Sequence, residues 1–185
     1  MDAHLKETRV SGGIAYDGSF LKVHRDMIRL PDGKEVSREY IKHPGAVVIL
    51  PVLENGDVLL ERQFRYPNDR VFIELPAGKL EEGEDHLECA KRELVEETGY
   101  TASQWDFVCT IHNAIAYSDE FLDIYLARGL VAGESRLDDG EFIETISMPL
   151  AAMLDAVRTG AITDVKTIIG AFWLEKIQAG TWQPG

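Results

Sequence analysis

The sequence predicts an α+β fold, a sandwich of strands flanked by helices, and three stretches carry that prediction. Ala46 to Leu53 is a nearly unbroken aliphatic and β-branched run, the composition of a strand buried on both faces. Val71 to Leu75 alternates into a glycine-bearing turn, and no glycine or proline then interrupts the chain from Gly83 to Gly99, room for a helix of about four turns. Two further runs with apolar residues at helical spacing follow late in the chain, an order of elements that suits such a sandwich.

Taken in order, residues 1 to 19 are polar, glycine-containing and weak in structural signal, and read as a lead-in. Phe20 to Leu30 and Lys34 to Ile41 are strand-like and flank Pro31-Asp32-Gly33, a turn tripeptide, so a hairpin is expected. After the Ala46 strand, Glu54-Asn55-Gly56-Asp57 supplies an Asn-Gly turn, and Val58 to Phe64 is expected to return as its partner. Arg65 to Asp69 is a loop before the Val71 strand. Beyond the central helix, Gln104 to His112 reads as a strand, Asn113 to Glu120 as a loop, and Leu122, Ile124 and Leu126 as one face of another strand. Gly129 to Gly140 is expected to be a long surface loop and Glu141 to Met148 a last strand. Leu150, Met153, Leu154 and Val157 give one helical face, closed by Gly160, and Asp164 can cap a final helix reaching about Gln178. The division expected is 1–45 as lead-in and hairpin, and 46–185 as the main domain.

Composition narrows the function. With 45% hydrophobic residues in 185, one domain can bury a substantial core and a second full domain is not expected. A formal net charge of -13 repels polyanions, which argues against nucleic acid or an anionic membrane surface as partner. Cys89 and Cys109 have no zinc-site spacing and read as reduced thiols. No basic-then-apolar leader and no apolar run of spanning length is present, so a cytoplasmic location is expected.

The central helix carries the chemistry. Leu87, Ala90 and Leu94 make its buried stripe, while Glu93, Glu96 and Glu97 stand on one face at spacings of three and four. Like charges so placed cost a few tenths of a kcal/mol each, and a solvated surface helix is the bland explanation of such a run. A hard divalent cation reverses the sign of that cost, and clustered carboxylates suit Mg²⁺ or Mn²⁺.

Gly78, Glu84, Arg92-Glu93-Leu94, Glu96-Glu97 and Gly99-Tyr100 fill every fixed position of the motif that marks the Nudix hydrolases, and the chain resembles that family. The resemblance implies the Nudix fold, a mixed sheet between helices in an α/β/α sandwich. It implies that Glu93 and Glu97 are the principal metal ligands, joined by the backbone carbonyl of Ala77 and by Glu96, with Glu97 catalytic through its metal. Glu84 and Arg92 stay open between scaffold and site. The family's general base is often a Glu far from the motif; in Asp138-Asp139-Gly140-Glu141-Phe142-Ile143-Glu144 the favoured candidates are Glu141, then Glu144, against a solvated acidic loop.

Gln63-Phe64-Arg65-Tyr66-Pro67, Leu75-Pro76-Ala77-Gly78-Lys79-Leu80 and Asp164-Val165-Lys166-Thr167 resemble the branch of ADP-ribose pyrophosphatases and related nucleoside-diphosphate-sugar hydrolases. That resemblance makes Arg65 a ligand of substrate phosphate, beside Ala77 and Gly78 of the turn, and implies hydrolysis of ADP-ribose to AMP and ribose 5-phosphate. It also implies a homodimer built through the N-terminal hairpin. Asn113 to Glu120 lacks the proline common in that branch, which leaves ADP-glucose or GDP-mannose as alternative substrates. Phe20, Tyr40 and Tyr117 are candidates to stack on a base. A non-catalytic ligand-binding module is the reading from another class, and the intact Glu93, Glu96 and Glu97 argue against it. Two cysteines exclude a four-cysteine zinc ribbon.

Overall fold

Strand β4 (Ala46–Pro51) is buried at every residue, and its alternation sorts the core into two layers. In the computed structural model, which describes residues 2–137 and 139–184, Val47 and Ile49 pack with Cys89, Ala90 and Leu94 of helix α1 (His86–Thr98). Val48 and Leu50 face the opposite way, into a cluster with Leu150 and Met153 of α2 (Leu150–Thr159) and Ala171 and Leu174 of α3 (Val165–Gln178). Successive strand residues point to opposite faces, so one apolar run supplies both layers and the helices cover the sheet on both sides. Asp138, of the acidic segment read above, lies outside the described residues.

Around β4, the sheet is mixed. Strand β4 pairs antiparallel with β7 (Ala77–Lys79) and parallel with β9 (Leu122–Ala132), which pairs in turn with β8 (Tyr100–Ile111). A second, antiparallel sheet has the order β10-β5-β6, formed by β5 (Asp57–Arg65), β6 (Arg70–Glu74) and β10 (Ile143–Pro149). This corrects the expected hairpin: the Asn-Gly turn is there, but β4 and β5 share only a Val52–Val58 bridge. Both edges of β4 are already taken by β7 and β9, and β5 finds its hydrogen bonds elsewhere. Two boundaries also move. Strand β9 runs on to Ala132, so the expected Gly129 loop starts only at Gly133, and β10 begins at Ile143, which leaves Glu141 on the loop and Glu144 inside the sheet.

The chain divides into two compact units, one comprising the chain up to Gly45 with Ala114–Glu120, the other Ala46–Asn113 with the chain from Phe121 onward. Within the first, β2 (Lys22–Arg29) and β3 (Glu35–Lys42) form the expected hairpin, and a further strand, β1 (Thr8–Asp17), replaces most of the expected lead-in. Every residue of β1 is exposed, so no burial pattern announces it. Its partner strand and a buried carboxylate hold it instead: Asp26 accepts hydrogen bonds from Arg9 Nε (2.8 Å) and the Tyr40 hydroxyl (2.9 Å). Tyr40 also stacks on His24, which commits its ring to this sheet. Loop 114–120 is tied on by the Ile41 amide donating to the Tyr117 carbonyl (2.8 Å) and the His43 amide to Asp119 (2.9 Å).

Helix ends follow local chemistry. The Asp85 side chain accepts from the amides of Leu87 and Glu88 and starts α1 at His86, two residues into the expected run. Gly99 ends it in the left-handed region with φ 77°, where the space for a Cβ is already filled by the backbone of Gly133 to Ser135. Within α1 the buried residues are Cys89, Ala90, Leu94, Glu97 and Thr98; Leu87 is only half-buried, because it lies in the first turn at the margin of the sheet.

Candidate active site

The turn at Pro76 to Leu80 and the carboxylate face of α1 meet at Gly78. A Cβ on Gly78 would stand 1.7 Å from Glu93 Cδ, so the glycine is what lets the backbone lie against that carboxyl. Ala77 reaches the same helix through its amide, which donates to Glu97 Oε2 at 3.0 Å. Arg92 binds the cluster from the side. Its guanidinium donates to both oxygens of Glu84 (2.9 Å each), to Glu93 (2.7 Å) and to Glu96 (3.0 Å). Glu84 in turn accepts from the Glu81 amide, so Glu84 and Arg92 tie the turn to the helix. The Arg92 contact holds the Glu84 carboxyl down at about 2.

Of the carboxylates on α1, Glu97, only 8% exposed, lies deepest. Burial pushes its pKa up, and the neighbouring carboxyls of Glu61 and Glu93 push it further. Burial raises Glu61 as well, and raises Glu93 against the opposing pull of Arg92. Burial and neighbouring carboxyls thus both oppose the charge on Glu61, Glu93 and Glu97, and added positive charge would offset both.

Glu61 and Glu74 are the residues that sequence reasoning missed. They face each other across β5 and β6, and both are almost fully buried. Glu74 is neutralised in place by Arg65, whose Nε and Nη2 bind its two oxygens at 2.8 and 2.9 Å, and by Lys166, which also pairs with Asp164 at 3.1 Å. The only sequence signal for Glu61 is a charged residue closing the apolar run Val58-Leu59-Leu60. The predicted phosphate ligand Arg65 thus sits at 45% side-chain exposure with one edge of its fork on Glu74, at the rim of a groove of about 400 Å³ shared with Pro67, Phe72 and Lys166.

Lys166 supports a stability prediction. Replacing it with alanine removes one of the two cations on buried Glu74 and the cation paired with Asp164, and breaking such a pair costs about 3 kcal/mol, or roughly 6–12 °C in Tm for a chain of this size. Thermal melts of Lys166→Ala check this; an unchanged Tm contradicts it. The acid limb follows from Glu74. Burial raises its pKa, but Arg65 and Lys166 outweigh that and hold it below the usual 4.5. The stability from these contacts is present in full above about pH 4.5 and is lost as pH falls through the lower folded value.

The two candidate bases separate. Glu144 lies within β10 opposite Arg62 of β5, and the two side chains form a 2.5 Å ion pair at the surface. Glu141 lies on the preceding loop, half-buried, and its charge acts on both Glu93 and Glu97. Both candidates line one groove of about 380 Å³, walled by Phe64, Val71 and Phe142.

Among the described residues no three His, Cys, Asp or Glu side chains converge as a ready ligand set. Glu93 and Glu96 are turned to Arg92, and Glu97 to the Ala77 amide. The donors nonetheless fit a hard divalent cation: they are all oxygen, carry excess negative charge, and include a buried Glu61 Oε1 with no hydrogen-bond partner.

Residues 42–167 match the NUDIX domain. The chain belongs to the Nudix family. Hydrolases of this family need a divalent metal ion, in agreement with the donor chemistry. The Nudix enzyme is 35% identical to the ADP-ribose pyrophosphatase of Bacillus subtilis (strain 168), over 95% of this chain and 96% of that one. It is 34% identical to the ADP-ribose pyrophosphatase of Mycobacterium tuberculosis, over the whole of this chain and 90% of that one, and 34% identical to the methanol dehydrogenase activator of Bacillus methanolicus, over 89% and 90%. The fold matches that of a crystal structure described as an ADP compounds hydrolase, with a TM-score of 0.84, 22% identity and 95% of both chains covered. No helix among the described residues is long and apolar enough to cross a membrane.

Proposed function

We propose that this Nudix hydrolase splits the diphosphate linkage of ADP-ribose, giving AMP and ribose 5-phosphate. The observation that carries the reading is the near full-length similarity to two proteins named ADP-ribose pyrophosphatase, at 35% and 34% identity, in a chain whose carboxylate face is intact. Relatives named for GDP-mannose and for ADP-sugars, at 32% identity each, keep other nucleoside diphosphate sugars as the alternative.

Glu93, Glu97, Glu96 and the Ala77 carbonyl are the proposed ligands of Mg²⁺, with Mn²⁺ as a substitute. When bound, the cation neutralises diphosphate oxygens and lowers the pKa of a coordinated water. The chain's own residues do the rest. Glu141 takes the proton from the attacking water, whose oxygen forms a new bond to one phosphorus as the bridging P–O bond breaks and its electrons leave on the second phosphate. Glu141 is favoured over Glu144 because it lies half-buried on the loop and its charge reaches both Glu93 and Glu97, whereas Glu144 is exposed within β10. Arg92 keeps Glu93 and Glu96 aligned, and Gly78 gives Glu93 its space. Arg65 offers Nη1 to a phosphate oxygen while Glu74 fixes its plane. We place the enzyme in the cytoplasm as a homodimer formed through residues 1–45, consistent with two free cysteines and an exposed β1.

Product release from ADP-ribose, ADP-glucose, GDP-mannose, NADH and 8-oxo-dGTP with Mg²⁺ tests the reading. ADP-ribose is expected to give the highest kcat/KM; a preference for another sugar nucleotide keeps the mechanism and reassigns the substrate, and no turnover of any overturns it. Arg65→Ala is expected to raise KM by about tenfold, since a hydrogen bond to a charged group contributes about 1.5 kcal/mol or more. Unchanged kinetics would remove Arg65 from the substrate site.

A further inference from the structure

Two buried side-chain oxygens among the described residues have no hydrogen-bond partner, Asp26 Oδ1 and Glu61 Oε1. Asp26 belongs to an ion pair with Arg9. Glu61, at 3% exposure, has no ion pair among the described residues, although Glu74 opposite it has two cationic partners. For folding alone, a leucine continuing Val58-Leu59-Leu60 would serve better, because a buried carboxyl without a counter-charge is costly. Its side chain lies instead against the carboxyl of Glu97. Two carboxyls in contact, one with an oxygen that no protein donor satisfies, make a pair whose missing partner is a cation with oxygen preference.

We infer that Glu61 is a further ligand of the divalent cation that binds at Glu97, so that the site is anchored to strand β5 as well as to helix α1. The inference rests on the reading of Glu97 as a metal ligand. It also gives β5 a double role. Glu61 and Arg65 are four residues apart on one strand face, about 13 Å along the strand, so one rigid element sets the distance between cation and phosphate-binding guanidinium. Arg65 and Glu61 are further linked through Glu74, which pairs with Glu61 in register and with Arg65 through its carboxyl.

The test is Mn²⁺ binding to the full chain without substrate, followed by electron paramagnetic resonance, for the wild type, Glu61→Gln, Glu61→Leu and Glu97→Gln. Glu61→Gln is expected to bind Mn²⁺ at least tenfold more weakly, and the rise in Tm that Mn²⁺ gives the wild type is expected to shrink in both Glu61 variants. In chelator, Glu61→Leu is expected to melt no lower than the wild type, since it removes a buried carboxyl without a partner. Wild-type Mn²⁺ affinity in a folded Glu61→Gln or Glu61→Leu overturns the inference. Loss of binding in Glu97→Gln alone overturns it while leaving the metal reading intact, and absence of Mn²⁺ binding by the wild type overturns both.

Discussion

Glu97→Gln is expected to lower kcat about a thousandfold, the effect of losing roughly 4 kcal/mol of transition-state stabilisation. The substitution removes a charge from the centre of the carboxylate cluster and changes little else. A glutamine oxygen can still accept the 3.0 Å hydrogen bond from the Ala77 amide, and its NH₂ can donate to the neighbouring Glu61. Burial and like charge already raise the Glu97 carboxyl, so a neutral side chain suits the metal-free fold, and Tm in chelator is expected to hold or rise. Steady-state kinetics with ADP-ribose and a thermal melt check the two halves together. Near-normal turnover would remove Glu97 from the chemistry, whereas a large drop in Tm would show that the loss of activity came from the fold.

Gly78→Ala is expected to lower kcat about a hundredfold, some 3 kcal/mol, with a far smaller change in stability. The added methyl would stand 1.7 Å from Glu93 Cδ and 2.0 Å from its Oε1, so the carboxyl must leave its place. Glu93 Cγ would also stand at 2.2 Å, so the whole side chain must swing from near its root, and because no backbone is among these nearest atoms the change is directed at the site. Arg92 loses its 2.7 Å partner at the same time, so the alignment of Glu96 suffers too. Equal activity in Gly78→Ala and the wild type would show that Glu93 does not depend on the turn.

Much of the site was legible because its residues are close in sequence. Helical spacing puts Glu93, Glu96 and Glu97 on one face whatever the rest of the chain does, and the helix limits follow from Asp85 and Gly99, whose cap chemistry is local. The final helix, capped by Asp164, was legible for the same reason. Strand partners were not. The Asn-Gly turn after β4 is real, yet β5 pairs with β6 and β10, because partner choice depends on which edges are left open. Strand β1 gave no signal, since exposure on both faces leaves no alternation to read.

The sequence by itself determined the candidate groups of this protein: a carboxylate face on one helix, a glycine-bearing turn before it, and an acidic segment far along the chain. Only the tertiary structure decided which other groups join that face. It set Glu61 against Glu97, gave Arg65 and Lys166 to Glu74, and drew Glu144 into the sheet with Arg62 while leaving Glu141 on the loop. The physical reason is that helix geometry fixes side-chain directions over a few residues, whereas contacts between β5, β6, β10 and α1 are set by packing between segments tens of residues apart.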